Sequence, residues 1–305
     1  MLLQFGRVPT VIISSAEAAK ELFKANDLNS CSRPRLAGTG RLSYTYLDIA
    51  FTSYGDYWRE MRKICVLELF SAKRVQSFQS IRTEEVGFLI DSILKSSSAS
   101  SSPVDLSEKT LSLTANVTCR VAFGESFQER GFAHERFQEV IHEGLAMLGS
   151  FSAADFFPYV GWIVDRLTDP GLEDIIDVLL EMEKDQTESG GIQFSQNHIK
   201  AILMNIFLAR VDTGAIVLVW AMAELVRNPR SQNYESLPFG GGRRGCPGII
   251  MGLALVELAL ANLLFCIDWK LPNNMEAQIN MEEIFDLTAH KKEALMLVPI
   301  KYQLI

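Results

Sequence analysis

At 305 residues, 48% hydrophobic and 22% charged, the chain has the composition of a soluble globular protein and length for one large domain or two ordinary ones. A net charge of -8, with no Lys/Arg cluster, argues against a nucleic-acid partner, because phosphate backbones are bound by such clusters. The five cysteines, at 31, 65, 119, 246 and 266, stand singly without zinc-ligand or redox spacing and read as reduced thiols facing the cytosol, four of them small buried hydrophobes. Met1 to Phe5 is too short for a signal-peptide core, and Arg7 and Pro9 follow at once.

Arg7 to Ser14 is β-branched and apolar and predicts a short strand. Ser15 then caps a helix through Ala18, Leu22 and Phe23. Asp56 to Phe70 predicts a helix with Trp58, Met61, Ile64, Cys65 and Leu69 near one face, and Val75 to Leu94 a second. Ser96 to Ser102, closed by Pro103, predicts a solvated loop. Ser107 to Val121 and His134 to Gly149 predict further helices, Ile175 to Glu183 is amphipathic, and Asn197 to Arg227 is the longest helical pattern, ended by Pro229. Glu224 and Arg227 share a face near its end and read as an exposed ion pair. Ile249 to Ile267 is 19 residues and almost all apolar. Its length suits a membrane span, but Glu257 at its centre favours a buried core helix. Leu287 to Leu304 holds two β-like runs, one of them Leu295 to Ile300. The fold class is mainly α, with small β elements at both ends.

The segment Phe239-Gly240-Gly241-Gly242-Arg243-Arg244-Gly245-Cys246-Pro247-Gly248 concentrates the chemistry. Its glycines permit positive φ and close backbone approach. A backbone folded around the sulfur aims N–H groups at it, which with the following helix N-terminus favours the thiolate. Pro247 suits the first turn of that helix, and Arg244 places a permanent cation near the sulfur that can bind a carboxylate bidentately. Three readings compete: a flexible turn with an incidental cysteine, a phosphate-binding loop, and a thiolate ligand for haem iron. The P-loop Lys-Ser/Thr is absent.

Here the sequence resembles the cytochrome P-450 family. Phe239, Gly242, Arg244, Cys246 and Gly248 match all five fixed positions of its haem-binding signature, and Pro247 is typical. The resemblance implies haem b bound through the Cys246 thiolate, with Phe239 shielding the sulfur and Arg244 pairing with a haem propionate. Phe5-Gly6-Arg7-Val8-Pro9 looks like the first strand after the proline-rich hinge of plant microsomal (A-type) members. Asp48 through Lys63 looks like the segment holding the family's Trp-x-x-x-Arg helix. Trp58 and Arg62, four apart, share a face, and the resemblance implies that both contact a propionate. Without it, an indole packed on an arginine stem explains the pair as well. Ala209-Arg210-Val211-Asp212-Thr213 resembles the oxygen-activation motif, in which Asp212 and Thr213 relay protons to iron-bound dioxygen. An exposed helix face is the plainer explanation of an Asp-Thr pair. Arg210 stands where the family has glycine. It is expected to crowd the distal side, seeking a carboxylate or escaping to solvent, with Asp212 a poor partner two residues away.

The implied reaction inserts one oxygen atom of dioxygen into a small lipophilic plant metabolite, terpenoid-like substrates included. Electrons come from NADPH through a partner reductase, at the cytosolic face of the endoplasmic reticulum membrane. Residues 1–305 are expected to form a single domain of this type. It lacks the family's N-terminal membrane anchor and internal segments near 167–173, where the substrate roof belongs, and near 229–237. Two alternatives stand beside it: a non-catalytic truncated remnant that still binds haem, and a membrane-embedded protein anchored by 249–267.

Overall fold

Gly6, with φ of +57°, turns the chain back on itself, so β1 (Leu2–Phe5) pairs antiparallel with β2 (Val8–Val11). The predicted strand at the start is the second arm of this hairpin. Ser15 then accepts a hydrogen bond from Ala18 N at 3.2 Å and caps α1 (Ala16–Ala25), with Glu17 in its first turn and Lys24 in its last. The computed structural model describes residues 1–99, 102–126, 134–149, 153–157, 195–227, 239–272, 279–285 and 287–301. The predicted amphipathic stretch at 175–183 and the segments near 167–173 and 229–237 lie outside these residues.

The chain divides into two compact units. The first comprises Met1–Cys65, His142–Ile206 and Leu237–Pro247. After α1 it continues through α2 (Asp27–Ser30), α3 (Ala37–Leu42) and α4 (Asp56–Ile64). The predicted helix to Phe70 is α-helical only as far as Ile64, and a π-turn follows at Cys65–Leu69. The wider turn shifts the register of the apolar face. Trp58, Met61 and Cys65 are buried, while Leu67 and Leu69 are turned to solvent.

The second unit comprises Val66–Ile141, Phe207–Ser236 and Gly248–Ile305. It begins with α5 (Ala72–Ser77) and α6 (Gln79–Ala99). α6 runs into the stretch expected to be a loop. Serine tolerates this because its hydroxyl can bond back along the helix: Ser92 Oγ donates to Leu89 O and Ser96 Oγ to Ser92 O, both at 2.9 Å. Then come β3 (Val104–Asp105) and α7 (Leu106–Phe123), capped by Asp105, whose Oδ1 accepts from Glu108 N at 3.0 Å. Helix α8 (His134–Gly149) has the predicted bounds and belongs in part to each unit, and α9 (Ala153–Phe156) belongs to the first.

Helix α10 (Gln196–Arg227) gives residues 196–206 to the first unit and 207–227 to the second. Helix α11 (Ile249–Cys266) is followed by β4 (Ile267–Lys270), the antiparallel hairpin of β5 (Glu283–Phe285) with β6 (Ala289–Lys291), and β7 (Met296–Lys301). β7 is the centre of an antiparallel sheet of order β3-β7-β4, pairing Val104 with Leu297 and Trp269 with Pro299. The core of this unit joins Val86, Leu89 and Ile93 of α6 to Leu113 and Val117 of α7, Leu218 and Met222 of α10, and Leu297 of β7.

Helix α11 departs from the expectation of a fully buried core helix. It buries one stripe, Met251, Leu255, Ala259 and Leu263 at four-residue spacing, while Ile249, Ile250, Leu253, Leu264 and Phe265 are exposed. α6 and β4 are its main partners and cover one side of a helix that is apolar all round. Both α10 and α11 are long and apolar enough to cross a membrane by length and composition.

Candidate functional site

The cysteine loop lies in the first unit and closes on itself, with Cys246 N donating to Phe239 O at 2.9 Å. A 3₁₀ turn at Gly242–Arg244 fills the interval. Phe239, Gly240 and Gly242 all have positive φ, at +64°, +73° and +64°. At Gly242 glycine is also required by space, since a Cβ there would collide with the Asp27 carboxylate and lie 3.0 Å from the Phe23 ring. Asp27 in turn anchors the loop. Its Oδ2 lies 3.0 Å from Arg243 Nε and 3.2 Å from Arg243 N. Cys246 is exposed, whereas Cys31, Cys65 and Cys119 are buried and Cys266 is partly so.

Two arginines and one tryptophan converge on the loop. The Arg244 guanidinium lies 4.7 Å from the centroid of the Trp58 ring and that of Arg62 lies 5.3 Å from it. Arg62 donates through Nη2 to Gly245 O, next to the cysteine. Arg244 donates to four backbone carbonyls: Cys31 at 2.6 Å, Ile49 at 3.3 Å, Ala50 at 3.1 Å and Thr52 at 2.5 Å. Trp58 Nε1 donates to Ile49 O at 2.9 Å. Burial holds both guanidiniums below the ordinary arginine range, and neither is paired with a carboxylate among the described residues. Arg33 and Arg62 add to the effect on Arg244.

Two residues that sequence reasoning left without a role hold this arrangement. Asp48, fully buried, accepts from Phe51 N and Thr52 N at 3.1 Å and from Asn205 Nδ2 at 2.9 Å. Burial raises its carboxyl pKa, and these hydrogen bonds pull it part of the way back. Asn205 Oδ1 accepts from Ile49 N at 3.2 Å and Ala50 N at 3.1 Å. The segment 48–52 is thereby fixed so that its carbonyls face Arg244 and Trp58. The available signal was a lone asparagine inside the apolar run of α10.

The second unit contains the Asp-Thr pair, and its two side chains have different partners. Asp212 is buried and receives a hydrogen bond from Thr288 Oγ1 at 2.8 Å, with His290 Nε2 3.3 Å from its other oxygen. Thr213 is exposed and its hydroxyl donates back to Ala209 O. Arg210 corrects an expectation. Among the described residues its guanidinium has no carboxylate partner, and the residue is only partly exposed. Nη1 reaches Met251 Sδ at 3.2 Å, and Nε and Nη2 are buried without a partner. The reason is local: Asp212 is occupied by Thr288 and His290, and another cation, Arg82, acts on Arg210. Gly248 stands at the N-terminus of α11.

The loop thus presents an exposed thiol with two arginines beside it. The sequence profile of the cytochrome P450 family matches residues 1–170, 166–233 and 230–298, in three successive stretches. Among its relatives are three Arabidopsis thaliana proteins, cytochromes P450 71B36, 71B35 and 71B34, each 38% identical and each with 86% of its length covered by the alignment. The first of these alignments takes in 99% of this chain but runs over 433 residues, so internal segments of that relative have no counterpart here. Two zebra fish cytochrome P450 structures, one with abiraterone and one with progesterone, have TM-scores of 0.68 and 0.72 and cover 99% and 98% of this chain and 96% and 95% of theirs. At 16% identity these two carry the fold alone.

The chain belongs to the cytochrome P450 family, and its similarity is to the plant A-type members. Family membership makes it an oxidoreductase of the haem monooxygenase class. The residues present fit the cofactor: an exposed sulfur that could ligate iron, and the cations of Arg62 and Arg244 beside the same loop, which could meet propionates.

Proposed function

We propose that this chain binds haem b through Cys246 and oxidises a small lipophilic plant metabolite, a terpenoid-like compound being one candidate. Bound haem supplies the iron at which dioxygen is reduced, one oxygen atom going to the substrate and the other to water. The observation that carries the reading is the pair of arginines, neither in an ion pair with a carboxylate among the described residues, beside an exposed cysteine. Arg62 and Arg244 would hold the propionates, joined by the Trp58 N–H once it leaves Ile49 O; Phe239 would cover the sulfur; and Gly242 and Gly248 would let the backbone pass close to it. Asp212 and Thr213 would handle protons for the reduction. NADPH, through a partner reductase, is the proposed electron source, and the cytosolic face of the endoplasmic reticulum membrane the proposed location. Residues 1–305 would form one catalytic domain without the family's segments near 167–173 and 229–237, a reading supported by the breaks between the three profile matches.

The direct test is expression with a haem precursor, followed by the difference spectrum of the reduced, CO-bound protein. The thiolate haem gives a strongly red-shifted Soret band. A protein that takes up no haem, or shows only an unshifted band, contradicts the reading.

A quantitative expectation follows for the cation cluster. Replacing Trp58, Arg62 or Arg244 with alanine should each weaken haem binding by about 1–3 kcal/mol, the value of a charge-assisted or buried hydrogen bond. Haem titration followed at the Soret band checks it. Arg244→Ala should also lower thermal stability, because its four carbonyl partners lose their donor. Unchanged haem affinity in all three variants would show that the cluster does not hold the cofactor.

A further inference from the structure

The buried carboxylate of Asp212 is held from outside its own helix. Thr288 Oγ1 donates to Asp212 Oδ2 at 2.8 Å and also lies 2.8 Å from His290 Nε2, which is 3.3 Å from Asp212 Oδ1. A hydroxyl has one proton, and here it points to the carboxylate, so Thr288 can only accept from the imidazole. The arrangement therefore calls for the tautomer with a proton on Nε2, which would face the Thr288 oxygen and Asp212 Oδ1. The Asp212 side chain is 4% exposed and that of His290 is 22% exposed. The imidazole thus connects solvent to a carboxylate that solvent does not reach.

We propose that His290 is the residue through which protons enter Asp212, with Thr288 as the hydroxyl that positions both. The proposal rests on the reading of Asp212 as a proton-handling group. Once Asp212 has released a proton to the chemistry, His290 takes up a proton from water and becomes imidazolium. The Nε2–H bond then breaks as an O–H bond forms on Asp212, leaving a neutral imidazole with its proton on Nδ1; exchange with water returns it to the Nε2–H tautomer, and the net change is one proton drawn from solvent. Imidazole is the side chain suited to this near neutral pH.

Other charged side chains lie on the neighbouring elements, and Glu293, three residues beyond His290, acts on Lys291. On the β5–β6 side, Lys292 pairs with Glu282 at 2.7 Å, Lys291 lies 5.6 Å from the Trp220 ring centroid, and Glu283 is exposed on the strand paired with Lys291. From α10, Arg210 turns to Met251. α7 presents uncharged Thr114, whose hydroxyl donates to Val211 O at 2.7 Å.

The experiment compares haem-loaded parent, His290→Gln, Thr288→Val and Asp212→Asn, supplied with NADPH and a reductase. What is measured is the fraction of consumed dioxygen released as hydrogen peroxide, between about pH 6 and about pH 8. Glutamine still donates a hydrogen bond but does not relay a proton. The expected result is a peroxide fraction several-fold higher in His290→Gln and no longer dependent on pH, with a raised fraction in Asp212→Asn and Thr288→Val. A raised fraction in Asp212→Asn beside a parent-like His290→Gln overturns the role of His290 and leaves that of Asp212 standing. Parent-like values in both overturn the reading of Asp212 itself. A second readout needs no turnover: the ¹⁵N resonance of His290 Nε2 should report a protonated nitrogen and move in Asp212→Asn. An unprotonated Nε2, or one indifferent to Asp212, overturns the proposal even if the other variants fail to fold.

Discussion

Cys246→Ser is expected to abolish the thiolate haem spectrum, while serine or alanine at Cys31, Cys65, Cys119 or Cys266 leaves it in place. A neutral hydroxyl is a poor replacement for a soft anionic sulfur at iron. Three of the other four cysteines are also poor ligands on physical grounds. Cys31, Cys65 and Cys119 are buried, and burial pushes the Cys65 thiol up to about 11, so it stays protonated at neutral pH. Cys246 is exposed on a loop whose own backbone bond, from Cys246 N to Phe239 O, fixes its place. Difference spectra of the five reduced, CO-bound single variants decide the matter. Loss of the shifted band in any variant other than that of Cys246 would remove this cysteine from the role.

Arg210→Met is expected to stabilise the haem-free chain by roughly 2–4 kcal/mol, as replacing a poorly compensated buried charge with a fitting apolar side chain does. Burial, with Arg82 nearby, brings the Arg210 guanidinium down to about 10, which corresponds to a cost on the order of 3 kcal/mol for keeping it charged. Its buried Nε and Nη2 have no partner to offset that cost. The sign of the pH dependence follows from the depressed value. The folded state releases the proton at a lower pH than the unfolded chain, so the penalty is present in full below about pH 10 and fades as pH rises through it. Urea denaturation of parent and variant should therefore give a constant gap near neutral pH that narrows above about pH 10. An unchanged or lower midpoint for the variant would mean that the guanidinium is compensated in solution.

The cysteine loop was legible because its chemistry occupies ten consecutive residues, and α8 and α10 because their apolar periodicity runs long and uninterrupted. What holds the site was not. Asp48 and Asn205 are 157 positions apart, and the groups they orient are backbone amides and carbonyls, which no side-chain pattern encodes. Thr288 and His290 lie in a tail that reads only as β-like, and nothing local links them to Asp212. The π-turn after Ile64 and the continuation of α6 through serine were missed for a different reason. Both turn on one or two backbone hydrogen bonds, a difference too small for residue preference to register.

The segment 48–52 has the irregular dihedrals of a loop, yet the amides of Ile49, Ala50, Phe51 and Thr52 all bond to just two side chains, those of Asp48 and Asn205. Asn205 belongs to α10, and Asp48 is bonded to it. The Ile49 and Ala50 amides can therefore exchange their hydrogens with solvent only when the clamp to α10 lets go, and those of Phe51 and Thr52 when the Asp48 carboxylate that Asn205 steadies does. In deuterium exchange they should behave as one cooperative unit, with protection set by the long helix and not by the loop they occupy.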